Sequence, residues 1–490
     1  MRFATALASP EFFPCKTSFG QAAHSASPTG LIDHCREEML NGFSNDVRKD
    51  VQIEEEELNV VTPKKLGLLT AALISATAAP ALAAAPSCGT DPVVMNAYFE
   101  TGFPLPTELS KEFTKQFPNV TFSIKEDLFG NLMDNSPRVL SSDNPPDLIR
   151  LPSIVDLVKN GLLKNLDDYA TALGWDKWPP AQLAQNRVSE DGTRGSGSLY
   201  AMGLNFSMTG IFYNKDLAAK IGMTKAPETV AEFEDLMAKA KAAGITPIMQ
   251  WNKPQAGLAF PLQDLMGAYG DPGPLNDWIF QKPNATIDTP SNLTAAQHLE
   301  QWVKAGYFPE DVNAIDYATA MSRFIGGQAL FIFNGDWESG NLDKQMTGKA
   351  GFFLMPPGTA GGKHAAMSAP LTYGVGAKAK NADCAAFFLN WVATNPDARK
   401  IDVAVGGSNP GGPVDLPLPA VTPGSVTEQT LAAGNVVGKD NGAMDFIANA
   451  TGAIFADGWT PELQKMVGAR QDAAGLLKSV QAEYVKELSR

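Results

Sequence analysis

The chain has 490 residues and carries 53 acidic against 39 basic side chains, a formal net charge of −14. That surplus disfavours nucleic acid or an anionic membrane surface as partner and leaves neutral or cationic small solutes open. A hydrophobic share of 44% is ordinary for a globular protein, and the length suffices for two or three domain-sized cores.

Residues 1–59 show no sustained periodicity and close on an acidic run, Glu54 to Glu57. Lys64 and Lys65 then precede an apolar stretch from Leu66 to Ala79, which is broken at Pro80 and followed by Ala81-Leu82-Ala83. Basic, apolar and small-residue segments in that order read as a secretory signal peptide over 60–83, cleaved near Ala83. The apolar stretch is shorter than the roughly 20 residues that a membrane span needs. A leader ahead of such a signal would hinder its recognition. Residues 1–59 are therefore expected to be a non-native extension, with Val60 or Val61 a misread alternative start, or else a disordered acidic leader.

Beyond the signal, Cys88 and Cys384 are free to pair in an oxidising compartment, although their spacing does not place them in reach of each other. Cys88 stands close behind the signal, but Ala85-Pro86-Ser87 is a poor lipoprotein box. A soluble exported protein is expected rather than a lipid-anchored one. His298 and His364 are the only histidines past the signal, and neither has metal-ligand spacing. No GxSxG, GxxxxGK[ST] or GxGxxG motif falls where a strand would lead into a helix. No metal or cofactor is expected, and any catalysis would have to come from paired carboxylates.

In chain order, PVVMNAYF reads as a buried strand, and Leu105, Leu109, Phe113 and Phe117 recur at helical spacing up to Pro118. Val120, Phe122 and Ile124 alternate as a half-buried strand, and PPDLIRLP holds a short buried one. Ser153 to Asn160 reads as a helix with Ser153 as N-cap and Gly161 just past its end. SEDGTRGSGS reads as a surface loop, followed by the strand pieces LYAM and GIFYNKDL. Thr229 and Glu232 form a capping-box pattern before a helix that Gly244 ends. ITPIMQW is a strand, helices are expected at about 255–269, 294–305 and 317–325, and QALFIFNGDW is a strand. FFLMPP and the strand TYGVGAK lead to the apolar helix AAFFLNWVA, whose Phe387, Phe388 and Trp391 read as core. Residues 406–423 are Gly/Pro-rich loop and the remainder is helical. Strands alternating with helices imply α/β lobes with mostly parallel sheets.

The markers NPPDLIRLP, GLLKNLDDY, SLYAMGLNFSMTGIFYNKDLAAKIG, GITPI, GGQALFIFNGDW, MPPG and YGVGAKAKN with AAFFLNWVATNPDA occur in that order. In order and spacing the chain resembles the extracellular solute-binding proteins of ABC sugar importers, the maltose-binding-protein-like group, from about Pro92 to the C-terminus. The resemblance implies a two-lobed α/β periplasmic-binding-protein fold with a hinge. One lobe would span 84–204 and 371–411, the other 205–370 and 412–490. The chain would cross near Met202 to Ser207, near Pro370 to Tyr373 and near Asn409. Ligand would bind between lobes that close over it, and the closed form would be read by transmembrane permease subunits. A monomer is expected.

A sugar presents apolar faces and a rim of hydroxyls, so its site needs flat rings with polar groups in the ring plane. Trp337 and Asp336 end a strand, where α/β sheets commonly place ligand contacts, and the resemblance puts Trp337 at a sugar-stacking position. Trp251 ends another strand beside Gln250 and Asn252. Tyr98, Glu100 and Thr101 follow the first strand, and Arg150 and Ser153 flank PPDLIRLP. Arg150 is placed to fork onto ring hydroxyls or an acidic sugar's carboxylate. Asn205 with Ser207, Tyr373 and Trp459 complete the candidates, each with an equal claim to a purely structural role. The reading favours a carbohydrate receptor without catalytic activity. A secreted glycosidase using Glu100 and Asp336, or the same fold holding a non-sugar solute such as a polyamine, are the alternatives.

Overall fold

The computed structural model describes residues 85–178, 180–253, 257–413 and 415–489, so the expected leader and signal peptide lie outside the described residues. The elements that position the site are, in chain order, β1 (Val93–Glu100), α1 (Leu105–Gln116), β2 (Val120–Asp127), α2 (Phe129–Leu140) and β3 (Leu148–Arg150). A short hairpin follows, β4 (Arg187–Val188) and β5 (Ser198–Leu199), and then β6 (Ala201–Asn214), α3 (Val230–Ala242), β7 (Thr246–Met249) and α4 (Ala259–Tyr269). The chain continues through β8 (Ala329–Gly335), β9 (Ala350–Phe353), β10 (Ala366–Gly374), α5 (Ala382–Thr394), α6 (Val426–Asp440), β11 (Ala443–Met444) and α7 (Ala473–Leu488).

One sheet runs in the order β2-β1-β3-β10-β6-β8-β7, with β9 on β6 and β11 on β10. Its two wings are parallel, β1 lying between β2 and β3 at one end and β7 beside β8 at the other. Between them β10 and β6 run antiparallel to each other, β10 antiparallel to β3 and β6 to β8 and β9, while the short β11 lies parallel to β10. The expected parallel pairing is therefore confined to the wings and the two-residue β10–β11 pair. The two strand pieces expected near 200 and 212 are one 14-residue strand, β6. Its first half pairs with β10, with a break at Leu204 and Asn205, and its second with β8 and β9. Where β10 slips register between Pro370 and Thr372, Gly203 lets the strands approach. A Cβ there would stand 2.7 Å from that of Pro370.

The buried apolar side chains gather in two bodies joined by β6 and β10. One is built from positions between 88 and 204 and between 371 and 398, the other from positions between 208 and 366 and between 426 and 484. In the first, Phe113 of α1 packs edge-on against Phe388 and Trp391 of α5 at 5.2 and 5.1 Å, so the aromatic helix is core as expected. Cys88 and Cys384 form a disulfide across this body, which engages the Cys88 sulfur and leaves no thiol there for a lipid thioether. In the second, Thr229 caps α3 by accepting from the Glu232 N–H at 3.2 Å, as its sequence pattern predicts.

Two local expectations are corrected. The helix after PPDLIRLP spans Val155–Lys159 with Ile154 at its N-cap, so Ser153 caps nothing. The Gly/Ser-rich stretch near 195 is, as expected, a loop, the one that joins β4 to β5, but its Arg194 is not at the surface: it is buried, with its charge met by Asp445 of the other body. Among the described residues, no helix is long and apolar enough to cross a membrane, and no group of three or more His, Cys, Asp or Glu side chains is arranged to hold a metal.

Candidate functional site

β8 ends at Gly335, and a short 3-10 turn over Asp336–Glu338 lifts Trp337 onto the seam between the two bodies. Gly335 is required there, because a Cβ at that position would strike the Trp337 indole. The indole N–H donates to Tyr317 Oη at 2.8 Å, and Tyr317 in turn donates to Glu338 Oε1 at 2.5 Å. These bonds fix the ring plane without using its face, which is what a stacking platform needs.

From Trp337 a run of rings follows the seam. Phe103, in the connection from β1 to α1, stands 6.3 Å away from the opposite body. On the other side Phe260 of α4 lies 6.1 Å from Trp337, Phe446 lies 5.3 Å from Phe260, and Phe455 lies 5.7 Å from Phe446. Phe455 then meets Phe129, the first residue of α2, at 6.2 Å, which returns the run to the first body. The Arg150 guanidinium lies 6.0 Å from the Phe129 ring, and Arg150 Nε lies 3.4 Å from Glu100 Oε2. Arg150 Nη1 also donates to the carbonyls of Leu151 and Thr372 at 2.8 and 3.3 Å. Burial pushes the Glu100 carboxyl above its ordinary range, and the Arg150 charge pulls it part of the way back. An ionic pair from two neighbouring strand ends thus lies at the edge of an aromatic surface.

The other predicted residues separate from this surface. Asp336, adjacent to Trp337, turns inward, where its Oδ1 accepts from Ser408 Oγ at 2.7 Å. It is 3% exposed, and burial holds its carboxyl well above the usual range. Ser408 faces Ser207 at 3.3 Å, Ser207 donates to Asn205 Oδ1 at 3.4 Å, and Asn205 Nδ2 donates to Asp402 Oδ1 at 2.9 Å. Asn205, Ser207 and Asp336 therefore belong to one buried polar chain that ties β6, the end of β8 and the 402–408 segment together. Asp336 is turned away from the seam face because the 3-10 turn that raises Trp337 directs the preceding side chain inward onto Ser408.

Trp251 stands behind the surface, 5.2 Å from Phe260 and 4.8 Å from Tyr317, and Gln250 and Asn252 bond to protein partners. Tyr98 donates to Asp127 Oδ2 at 2.8 Å, and burial first of all raises its hydroxyl to about 12. Tyr373 pairs in register with Arg150 and packs edge-on against Phe99 at 5.6 Å. Its hydroxyl is buried with no partner among the described residues. Trp459 is fully buried, donating to the Ile447 carbonyl at 3.2 Å. Thr101 is exposed. Sequence reasoning missed Phe103, Phe129, Phe260 and Phe446. For the first two a signal existed, since each lies within three residues of the end of β1 or β2.

A Mesorhizobium japonicum protein named a probable sugar-binding periplasmic protein is 27% identical over 216 residues, 43% of this chain and 48% of its own. The maltotriose-binding protein of Pyrococcus abyssi is 24% identical over 308 residues, 60% of each chain. The chain thus spans about half to three-fifths of the length of the curated relatives it matches. Among solved structures, a chitin oligosaccharide binding protein aligns with a TM-score of 0.69 at 19% identity, covering 82% of this chain and 100% of that one. A maltose-bound MalE3 of T. maritima aligns at 0.64 and 17% identity, covering 80% and 99%. At these identities the likeness establishes the architecture, the two-lobed α/β fold expected from the sequence. The family described as bacterial extracellular solute-binding protein matches residues 97–399, and the chain belongs to it.

Proposed function

We propose that this chain captures a neutral carbohydrate between its lobes and delivers it, chemically unchanged, to transmembrane permease subunits of an ABC importer. The lobes are taken as 84–204 with 371–411 and 205–370 with 412–490, working as a periplasmic monomer after removal of a signal peptide. The observation that carries this reading is the run of rings from Phe103 through Trp337, Phe260 and Phe446 to Phe129, ending on the Arg150–Glu100 pair. Flat apolar faces suit the C–H faces of a sugar, and the ionic pair suits its hydroxyls. Relatives named for sugar and maltotriose binding support the same class. A neutral ligand is favoured over a uronic acid because Glu100 already answers the Arg150 charge. The glycosidase alternative loses its second carboxyl, since Asp336 is bonded away inside the hinge network.

The test is a thermal-shift screen of the intact protein with neutral mono-, di- and trisaccharides, matching uronic acids and polyamines. Only a ligand bound preferentially by the folded state raises the melting point. A neutral saccharide that shifts it and is recovered unaltered supports the reading. A shift with polyamines alone, or release of a hydrolysed product, defeats it.

A further inference from the structure

Where the seam passes β10, a cavity of about 10 Å³ is lined from both bodies, by Gln185, Asn186 and Thr372 on one side and by Asp445 and Asn449 on the other, with Arg194 bridging them. Its lining is polar, unlike the aromatic run, and it adjoins that run through Phe446, the residue after Asp445. Asn186 is 1% exposed. Its Oδ1 accepts from Thr372 Oγ1 at 3.1 Å, which leaves Nδ2 as the free end. Gln185 Nε2 donates to the Ser368 carbonyl at 2.9 Å, which leaves Oε1 free. Both free atoms are buried with no partner among the described residues. Arg194 and Asp445 pair with each other, and Arg194 Nη2 donates also to the Gln185 carbonyl at 2.8 Å.

Two residues that line a space for a single oxygen-sized group thus carry one unspent donor and one unspent acceptor. Native interiors rarely leave such atoms unpaired. We propose that this cavity is a hydroxyl-reading subsite. One ligand hydroxyl accepts from Asn186 Nδ2 and donates to Gln185 Oε1 when the lobes close. The proposal rests on the carbohydrate reading above. It adds that the recognised sugar is held at one end by a hydroxyl and not by a charged or acetylated group, for which the space is too small.

The test titrates maltose, maltotriose and raffinose calorimetrically against the wild-type protein and its Asn186→Leu and Gln185→Leu variants. Thr372 Oγ1 keeps the Pro370 carbonyl as an acceptor at 3.1 Å, so Asn186→Leu strands no donor there. The expected result is a sugar that binds wild type and binds each variant about tenfold to a hundredfold more weakly, from loss of one buried hydrogen bond. Unchanged affinity in both variants overturns the subsite and leaves the carbohydrate reading standing, whereas no binding to wild type overturns both. Should a variant not fold, a crystal structure of the wild-type complex decides. A sugar oxygen within hydrogen-bond distance of Asn186 Nδ2 supports the subsite, and a water retained there beneath the bound sugar overturns it.

Discussion

Arg194 Nη2 and Asp445 Oδ2 lie 2.5 Å apart, and the two side chains belong to opposite bodies of the molecule. The guanidinium also lies 5.0 Å from the Phe280 ring, and the Arg194 N–H donates to the Phe280 carbonyl at 3.1 Å. A buried charge pair contributes little net stability, yet removing one member strands the other, at a cost of about 3–5 kcal/mol. Arg194→Ala and Asp445→Ala are therefore each expected to lower the melting temperature and enlarge the radius of gyration of the unliganded protein. The paired replacement Arg194→Met with Asp445→Leu should recover much of that loss. Single variants that scatter X-rays like wild type would show that this pair does not hold the bodies together.

Trp337 stands on the seam with its N–H already occupied, so its role is in its face. Trp337→Ala is expected to weaken binding of the sugar found by the screen by at least about tenfold, while Trp337→Phe loses less, because a ring remains. Phe103→Ala, removing the ring that faces Trp337 from the other body, should weaken the same sugar in the same direction. Isothermal titration of the three variants checks this, and equal affinities throughout would place the ligand elsewhere.

Asp264 of α4 accepts from Thr209 Oγ1 at 2.8 Å, and its other oxygen is buried without a partner among the described residues. Burial raises its carboxyl to about 7, with the Thr209 bond opposing. The folded state thus prefers the protonated form. The stability this contributes is full below the unfolded value near 4 and is lost as pH rises through about 7. Asp264→Asn cannot ionise. The difference in melting temperature, variant minus wild type, should grow from pH 4 to about pH 7 and then level, corresponding to roughly 4–5 kcal/mol at ~1.4 kcal/mol per pH unit. A difference independent of pH would mean that this carboxyl is not ionised on that path.

The Cys88–Cys384 bridge closes a loop with a sequence separation of 296. Cys88→Ser, Cys384→Ser or a strong reductant is expected to cost about 2–5 kcal/mol, read as a lower midpoint in a guanidinium melt. A midpoint insensitive to reductant would sink this expectation.

Much of the fold was legible because strand and helix periods are local properties. The helix expected at 294–305 overlaps the observed Pro290–Lys304, and that at 317–325 matches Tyr317–Ile325. The continuity of β6 was hidden because its pairing switches partners midway, a fact of topology and not of pattern. Within the site, Trp337 was legible from its place just past a strand end, but its neighbour Asp336 was grouped with it because the pattern does not show that the chain turns there and directs the carboxylate inward to Ser408. Phe260 and Phe446 carried no signal, since only the folded chain brings residues so far apart in sequence to one seam. Arg194 was masked by its Gly/Ser-rich surroundings, which describe a hairpin but not where its tip docks.

The disulfide described above turns most of the described chain into a covalent ring that contains nearly all of β1 through β10. If the protein is pulled from its ends, tension passes through the two sulfurs and bypasses every residue between them. At roughly 3.3 Å per extended residue, about 1000 Å of contour length stays hidden until the bridge is reduced. An optical-trap record should therefore show only the stretches before Cys88 and beyond Cys384 lengthening under oxidising conditions. The seam is thereby divided: Phe103, Phe129, Trp337 and Phe260 stay inside the unloaded ring, whereas Asp445, Phe446 and Phe455 lie on the stretch that is drawn away.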